Sequence, residues 1–317
     1  MNFYFLKRYP IPTIGLVLAM FVIGDVVRPY GEWIRAVLGC FAFVMYTLYI
    51  LKIVMFREDM KEKLTDPIMA ARLPVLAMAT VFLSGYAAPL STALGAALWY
   101  AGTVGHALFI LWFSYRFVLR GFSLKNVYPS WFTVYVGIAA ASVAAPLTGR
   151  TDIGQAVFWF AIAAFALLLP FICWRAWWIR HIPDAAKPSI VLFTMPAALL
   201  LAAYITSFEI RDPRIMSGLT LLSSILYLIG LGYYIIFTWK NPNFTPDHAD
   251  FAYPIAISAL STRLSAGASK IVFETTSLLA GTETIFASLI LADVLVHYLV
   301  MLFAIWKKGK ARSNPSL

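Results

Sequence analysis

The stretch from Pro74 to Tyr115 contains no Asp, Glu, Lys or Arg. About 20 apolar residues suffice for one helix to cross the hydrocarbon core of a bilayer, so this stretch holds two spans, joined near Gly85–Pro89. Its residues do not alternate between apolar and polar, as those in the short strands of a membrane β-barrel do. Of the 317 residues, 61% are hydrophobic and only 13% are charged, which is far below the charge of a soluble domain. We therefore predict an all-α polytopic integral membrane protein.

Apolar stretches recur along the whole chain and predict ten transmembrane helices. We expect them at about 10–27, 32–52, 70–88, 91–115, 127–148, 153–175, 188–208, 215–239, 250–272 and 284–306. The ninth is the least regular, because Arg263 and Lys270 interrupt it. The odd spans combine a proline with small residues, whereas the even spans are bulkier and mostly lack proline. The matching prolines recur about every 60 residues, at Pro12, Pro74, Pro129, Pro196 and Pro254.

This period predicts five helical hairpins within a single transmembrane domain, 1–317. The hairpins are expected at about 9–56, 70–120, 127–180, 188–240 and 250–307. Five like hairpins can close into a quasi-fivefold ring, with the kinked odd helices around a central pore and the bulky even helices toward lipid. Small residues also let helices pack closely without any pore. Their strict alternation over five spans favours the cavity-lining interpretation.

The charge distribution predicts the orientation. The net charge is +10, and most Lys and Arg residues fall at the termini and in the loops after even spans. The positive-inside rule then places both termini in the cytoplasm. We expect the protein itself in a bacterial-type inner or plasma membrane. Because orientation explains the positive charge, no nucleic-acid partner is predicted.

The segment DFAYPIAISALST, 250–262, places an aromatic ring directly before a proline. Pro254 opens or kinks a helix and frees backbone groups, which in lipid must be satisfied by protein or by water in a cavity. Tyr253 is then available to plug that cavity. The chain has no HExxH, GxSxG, GxxxxGK[ST] or CxxC motif. We predict no enzyme activity, no cofactor and no metal site.

Four segments carry a family resemblance: YPIPTIGLVLA from Tyr9, PSWF from Pro129, MPAA from Met195 and FAYPIAISALST from Phe251. In this order they resemble the tellurite-resistance/dicarboxylate transporter family. The family includes the bacterial tellurite-resistance protein, the slow-type anion channels of plant guard cells, fungal malate carriers and sulfite exporters. The resemblance extends from Tyr9 to about Trp306.

The resemblance implies a homotrimer in which each protomer forms its own pore from five hairpins. It also implies an aromatic gate on the ninth span. Tyr253 falls at the position of the family's gate phenylalanine, and Phe251 is the alternative if the register slips by two residues. A tyrosine here would add a hydrogen-bond donor to the gate.

The leading functional prediction is a gated channel for small inorganic anions such as chloride or nitrate. Helix ends and backbone N–H groups at kinks can select anions weakly enough to release them. The predicted pore-lining residues are Gly15, Pro12, Pro74, Phe132, Phe193, Pro196 and Pro254. One alternative is a proton-coupled carrier or exporter of C4-dicarboxylate, sulfite or tellurite-related oxyanions. Another is a structural or sensing membrane protein whose cavity stays closed.

Intramembrane charges are costly and usually pair, so we predict partners for them. Arg263 and Asp293 each lie roughly 20 Å from the same end of their spans, counted at 1.5 Å per residue. We expect them to pair, with His297 nearby. The pair would act either as a hairpin staple or as a proton-linked site. Near the external face, Asp25 is expected to pair with Arg28 or Arg35.

Overall fold

The structure is a computed structural model that describes residues 3–179, 182–183, 186–268 and 273–313. Its α-helices are joined by short turns, several of them 3-10 helical. In chain order the α-helices are α1 (Phe3–Arg8), α2 (Thr13–Val27), α3 (Glu32–Met55), α4 (Arg57–Lys63), α5 (Pro67–Ala70), α6 (Pro74–Ala87), α7 (Thr92–Phe113), α8 (Trp131–Tyr135), α9 (Ala140–Ala144), α10 (Thr151–Ile179), α11 (Met195–Ser207), α12 (Pro213–Lys240), α13 (Ala249–Ala268) and α14 (Phe273–Ser313).

Membrane-spanning helices dominate the chain. Within the described residues, eight helical segments are long and apolar enough to cross a bilayer. The fifth and ninth predicted spans are not among them, because the fifth is broken and the ninth carries more polar residues. The prediction of a polytopic helical membrane protein is confirmed, whereas the total of ten spans stays a prediction.

The proline-containing segments lie side by side at the centre of the molecule. Helix α2 packs on α6, α6 on α9, α9 on α11, α11 on α13, and α13 on α2 again. We call this cyclic set the inner helices. Their side chains are mostly buried, as in α11, where every residue from Met195 to Ile205 is buried. The outer helices α3, α7, α10, α12 and α14 carry most of the exposed large apolar side chains.

The fifth predicted span is interrupted. Helix α8 gives way to a 3-10 turn at Gly137–Ala139, then to α9 and to a second 3-10 turn at Ala145–Thr148. Neighbouring side chains take up the carbonyls along it: His106 Nε2 lies 2.9 Å from Val134 O, and Trp99 Nε1 donates to Ala141 O at 3.0 Å. Broken backbone at membrane depth is tolerated where protein satisfies it in this way.

The last helix is longer than predicted. We expected a span at about 284–306, but α14 runs from Phe273 to Ser313. Ser258 Oγ and Thr262 Oγ1 on α13 each donate to Glu283 Oε2 at 3.0 Å. Tyr298 Oη donates to Pro246 O at 2.5 Å. These contacts fix the antiparallel register of α13 and α14, with Glu283 level with the turn from Ser258 to Thr262.

Candidate pore and gate

The start of α13 is buried among the inner helices. A 3-10 turn at Pro246–His248 leads directly into the helix. Pro254 lies inside it, and because proline has no N–H, the carbonyl one turn earlier lacks its usual helical partner. Every residue from Ala249 to Thr262 is buried. The helix is therefore enclosed by protein at the position of its proline.

Tyr253 lies directly against Gly15 of α2. Its side chain is 1% exposed. A Cβ built on Gly15 would lie 3.0 Å from Tyr253 Cδ1, 3.2 Å from Tyr253 Cε1 and 3.1 Å from Ala249 O. These separations are shorter than the usual 3.5–4.0 Å contact between carbon atoms. Only glycine lets the ring lie this close to α2, so the structure brings the predicted gate and a predicted lining residue together.

Phe251 faces a different neighbour. Its ring centroid lies 5.2 Å from that of Tyr234 and 5.2 Å from that of Phe237, both on α12. It is fully buried among these rings. The two candidate gate residues therefore point to different helices, with Tyr253 toward the inner helix α2 and Phe251 toward the outer helix α12.

The predicted lining residues Phe132 and Phe193 contact each other. Their ring centroids are 5.6 Å apart in a T-shaped arrangement that joins the fifth and seventh predicted spans. Phe132 also packs on Phe165 of α10, with centroids 5.7 Å apart. This pair thus connects two neighbouring inner segments with an outer helix.

The prolines predicted to line the pore occupy different surroundings. Pro12 borders the basic cavity described below. Pro74 borders a groove that Tyr46 of α3 and Gly102 of α7 also line. Pro196, in the first turn of α11, and Pro254, in α13, are buried. Each proline thus has its own surroundings, and a pore lining shared by all four stays a prediction.

Arg72 forms an ion-pair cluster that the sequence reasoning missed. Arg72 precedes α6 and is 4% exposed. Its Nη1 lies 2.8 Å from Asp247 Oδ1, and its Nη2 lies 2.8 Å from Asp250 Oδ2. The cluster ties the start of α6 to the start of α13, one helical turn before Tyr253. The feature of the sequence that could have indicated this cluster is Asp250, an acidic residue at the start of an otherwise uncharged segment.

A basic cavity of about 500 Å³ lies beside this cluster, lined by α1, the turn that follows it, the end of α3 and α14. Lys52, which is 2% exposed, donates from Nζ to Lys7 O at 3.0 Å and also to Tyr9 O. One carboxylate, Asp247, borders the cavity. The basic residues that line it are Lys7, Arg8, Lys52, Lys63, Arg72 and Lys308. A concave surface with this excess of positive charge raises the local concentration of anions.

The predicted pairing of Arg263 with Asp293 is wrong. Among the described residues the two form no ion pair with each other. The Arg263 guanidinium lies 5.2 Å above the Tyr30 ring, whereas Asp293 Oδ1 lies 3.3 Å from His297 Nδ1. The prediction counted each residue from the cytoplasmic end of its own span and assumed that these two ends are level. Because Glu283 is already level with the turn that precedes Arg263, Asp293 lies about 15 Å farther along α14.

At the opposite end of the bundle, the expected pair of Asp25 with an arginine is present. Arg35 Nε donates to Asp25 Oδ1 at 2.8 Å, and Arg35 Nη2 donates to Gly85 O at 3.0 Å. The Arg35 guanidinium also lies 4.0 Å above the Tyr86 ring. The pair fastens α3 to α2 and to the end of α6.

Comparison with known proteins agrees with this architecture. The profile of the family described as voltage-dependent anion channel, SLAC1, matches residues 10–306, which is nearly the whole chain. No curated protein is a significant match. The match confirms the family resemblance drawn from the motifs. The chain, an integral membrane protein of anion transport, belongs to the SLAC1 voltage-dependent anion channel family.

Proposed function

We propose that the chain is a gated channel for small inorganic anions, with its path through the inner helices and its gate at Tyr253. The observation that carries this proposal is the contact of the Tyr253 ring with Gly15, between two inner helices. An aromatic ring seated on a glycine closes the gap between α13 and α2. Rotation of one side chain about its χ angles would withdraw it.

The distribution of charge supports an anion path. Acidic and basic side chains of the inner helices lie toward the helix ends. Asp25 and Asp250 do so, and Arg263, over the Tyr30 ring, lies in the last two turns of α13. Between those ends, anions would meet hydroxyls and backbone groups and no fixed cation. Weak binding of this kind lets an ion leave as well as enter. The basic cavity would supply anions to one end of the path.

The same proposal includes orientation and assembly. The end that carries the basic cavity would face the cytoplasm, by the positive-inside rule. The outer helices expose many large apolar side chains, including Trp177, Trp178 and Trp239. These surfaces would face lipid and the neighbouring subunits of a homotrimer. Each protomer would then carry its own path.

Replacement of Tyr253 tests the gate. Anion current is measured in planar bilayers for Tyr253→Ala, for wild type and for Phe251→Ala as the matched control. We expect a large gain of current in Tyr253→Ala, because the ring that lies on Gly15 is gone. We expect no gain in Phe251→Ala, because that ring packs on α12. Equal currents in wild type and Tyr253→Ala would contradict the proposed gate.

The same measurements separate the alternatives. A carrier of dicarboxylate, sulfite or tellurite-related oxyanions would show saturable uptake driven by a proton gradient, with no current in Tyr253→Ala. A sensing or structural protein would show neither current nor uptake. Either result would remove the channel proposal while leaving the family assignment intact.

A further inference from the structure

Glu283 is a buried carboxyl group that the proposed anion path does not use. It lies on α14 and is 1% exposed. Its Oε2 accepts hydrogen bonds from Ser258 Oγ and Thr262 Oγ1, each at 3.0 Å. Its Oε1 is buried without a hydrogen-bond partner, and no ion pair joins Glu283 to the rest of the described chain. An ionised carboxylate at such a place costs several kcal/mol unless something neutralises it.

Two further buried oxygens without hydrogen-bond partners lie on α12. Ser223 Oγ and Tyr227 Oη are both buried and lack hydrogen-bond partners. The two residues are four positions apart on one helix, so their side chains lie on the same face. The Glu283 carboxyl lies within electrostatic range of the Tyr227 hydroxyl. Glu283 Oε1, Ser223 Oγ and Tyr227 Oη are thus three buried oxygens without hydrogen-bond partners, on two helices.

The register of α12 and α13 puts these oxygens at one depth. The Thr220 and Ser265 hydroxyls lie 3.2 Å apart and align the two antiparallel helices. Three residues farther along α12, Ser223 is level with Thr262, and Tyr227 follows one turn later. Since Thr262 itself bonds Glu283, helices α12, α13 and α14 all contribute oxygens at this level.

The cluster lies away from the proposed gate. Thr262 follows Tyr253 by two and a half helical turns, at 3.6 residues per turn, and so projects from the opposite side of α13. Tyr253 is directed toward α2, whereas the cluster is directed toward α12 and α14. A ligand there would not lie on the anion path.

Carboxylate and hydroxyl oxygens are ligands for hard cations, not for anions or soft metals. One carboxylate balances one positive charge, so a monovalent cation leaves the buried site neutral. A divalent cation would leave a net charge in a low-dielectric interior. Ser258 and Thr262 already donate their protons to Oε2, so the lone pairs of both hydroxyls remain for a cation. We propose that Glu283, Ser258, Thr262, Ser223 and Tyr227 form a site for one Na⁺ ion that ties α12, α13 and α14 together.

Thermal unfolding of the full-length protein in detergent tests the site. NaCl is titrated against N-methyl-D-glucamine chloride and against KCl at constant ionic strength, at several pH values between 5.5 and 8. We expect a saturable rise of the apparent melting temperature that depends on Na⁺. At a Na⁺ concentration ten times the dissociation constant, the ratio of folded to unfolded protein rises about elevenfold.

Variants assign the effect to these residues. Glu283→Gln and Ser258→Ala are expected to abolish the Na⁺-dependent rise. Ser261→Ala is the matched control, because that buried hydroxyl donates to Ser258 O within α13 and is not among the proposed ligands. It should retain the rise in full. If Glu283→Gln does not fold, Tyr227→Phe still tests the site, since loss of one oxygen should move the Na⁺ midpoint to higher concentration.

Two results would overturn the proposal. One is a melting temperature that is the same in Na⁺ and N-methyl-D-glucamine at every pH. The other is a melting temperature that follows pH but not Na⁺ and loses this dependence in Glu283→Gln, because the carboxyl then holds a proton. Neither result involves anion current, so the site and the proposed channel can fail independently.

Discussion

The contact of Gly15 with Tyr253 makes a quantitative prediction for Gly15→Ala. The new methyl group would meet two atoms of the Tyr253 ring and the carbonyl of Ala249 at 3.0–3.2 Å. Overpacking of this degree costs about 1–3 kcal/mol. Replacement of glycine by alanine inside a helix otherwise stabilises by about 1 kcal/mol. We therefore expect Gly15→Ala to lose stability although its helix propensity improves.

Gly105→Ala is the matched control. Gly105 also lies within a helix, α7, and a Cβ at that position would meet nothing within 4 Å. This variant should keep the gain in helix propensity without a clash. The two glycine variants should differ in unfolding free energy by about 1–3 kcal/mol, with Gly15→Ala the less stable. Reversible unfolding in mixed detergent measures the difference.

A double-mutant cycle assigns the clash to the ring. In Tyr253→Ala two of the three close contacts vanish, and only Ala249 O remains near the new methyl group. Gly15→Ala should then cost less in this background, with a coupling energy of about 1 kcal/mol or more. Equal effects of Gly15→Ala and Gly105→Ala, or an effect of Gly15→Ala that is unchanged in Tyr253→Ala, would refute the close approach of ring and glycine.

Three further predictions concern the end of the bundle that carries the basic cavity. Arg72→Met leaves the buried Asp250 carboxylate without its cation, and thermal unfolding should show a loss of about 3–5 kcal/mol. Lys52→Met removes the ammonium that donates to backbone carbonyls and should lower the melting temperature. The same replacement of an exposed lysine should leave the melting temperature unchanged. Burial lowers the pKa of His248, whose Nδ1 accepts from the Thr245 N–H. The unfolded chain then takes up this proton first, so stability falls as the pH drops below about 6.5; His248→Asn should reduce the difference between melting temperatures at pH 7.5 and pH 5.5.

The long apolar spans were predictable because their signal is local. Runs of uncharged residues and recurring prolines determine where a helix can cross lipid, and the structure places helices at Glu32–Met55 and Pro213–Lys240 close to the expected 32–52 and 215–239. The broken fifth segment was not predictable in this way. Its carbonyls are taken by His106 and Trp99 from α7, and such partners become visible only when the helices are packed.

Residue pairs were predictable only where sequence distance matches spatial distance. Asp25 and Arg35 flank one short turn, and they pair as expected. The pairing of Arg263 with Asp293 depended on the register between two long helices. That register differs from the predicted one by about ten residues, so the two residues lie apart. The sequence did not single out Glu283, because the predicted tenth span began one residue after it. In the structure, α14 already begins at Phe273.

In the proposed channel, the placement of Arg72 and Arg35 would let a chain with a net charge of +10 pass anions without trapping them. A fixed, unpaired cation inside a narrow path would bind an anion too tightly for rapid release. Arg72 contacts two carboxylates at one end of the inner helices, and Arg35 contacts Asp25 and Glu32 at the other. These arginines therefore hold helices together while their charge is compensated. The basic cavity, with a single carboxylate at its border, would concentrate anions outside the proposed narrow region. Attraction and passage would thus fall to different parts of the proposed channel, and loss of charge from the cavity should slow the arrival of anions more than it changes the proposed barrier at Tyr253.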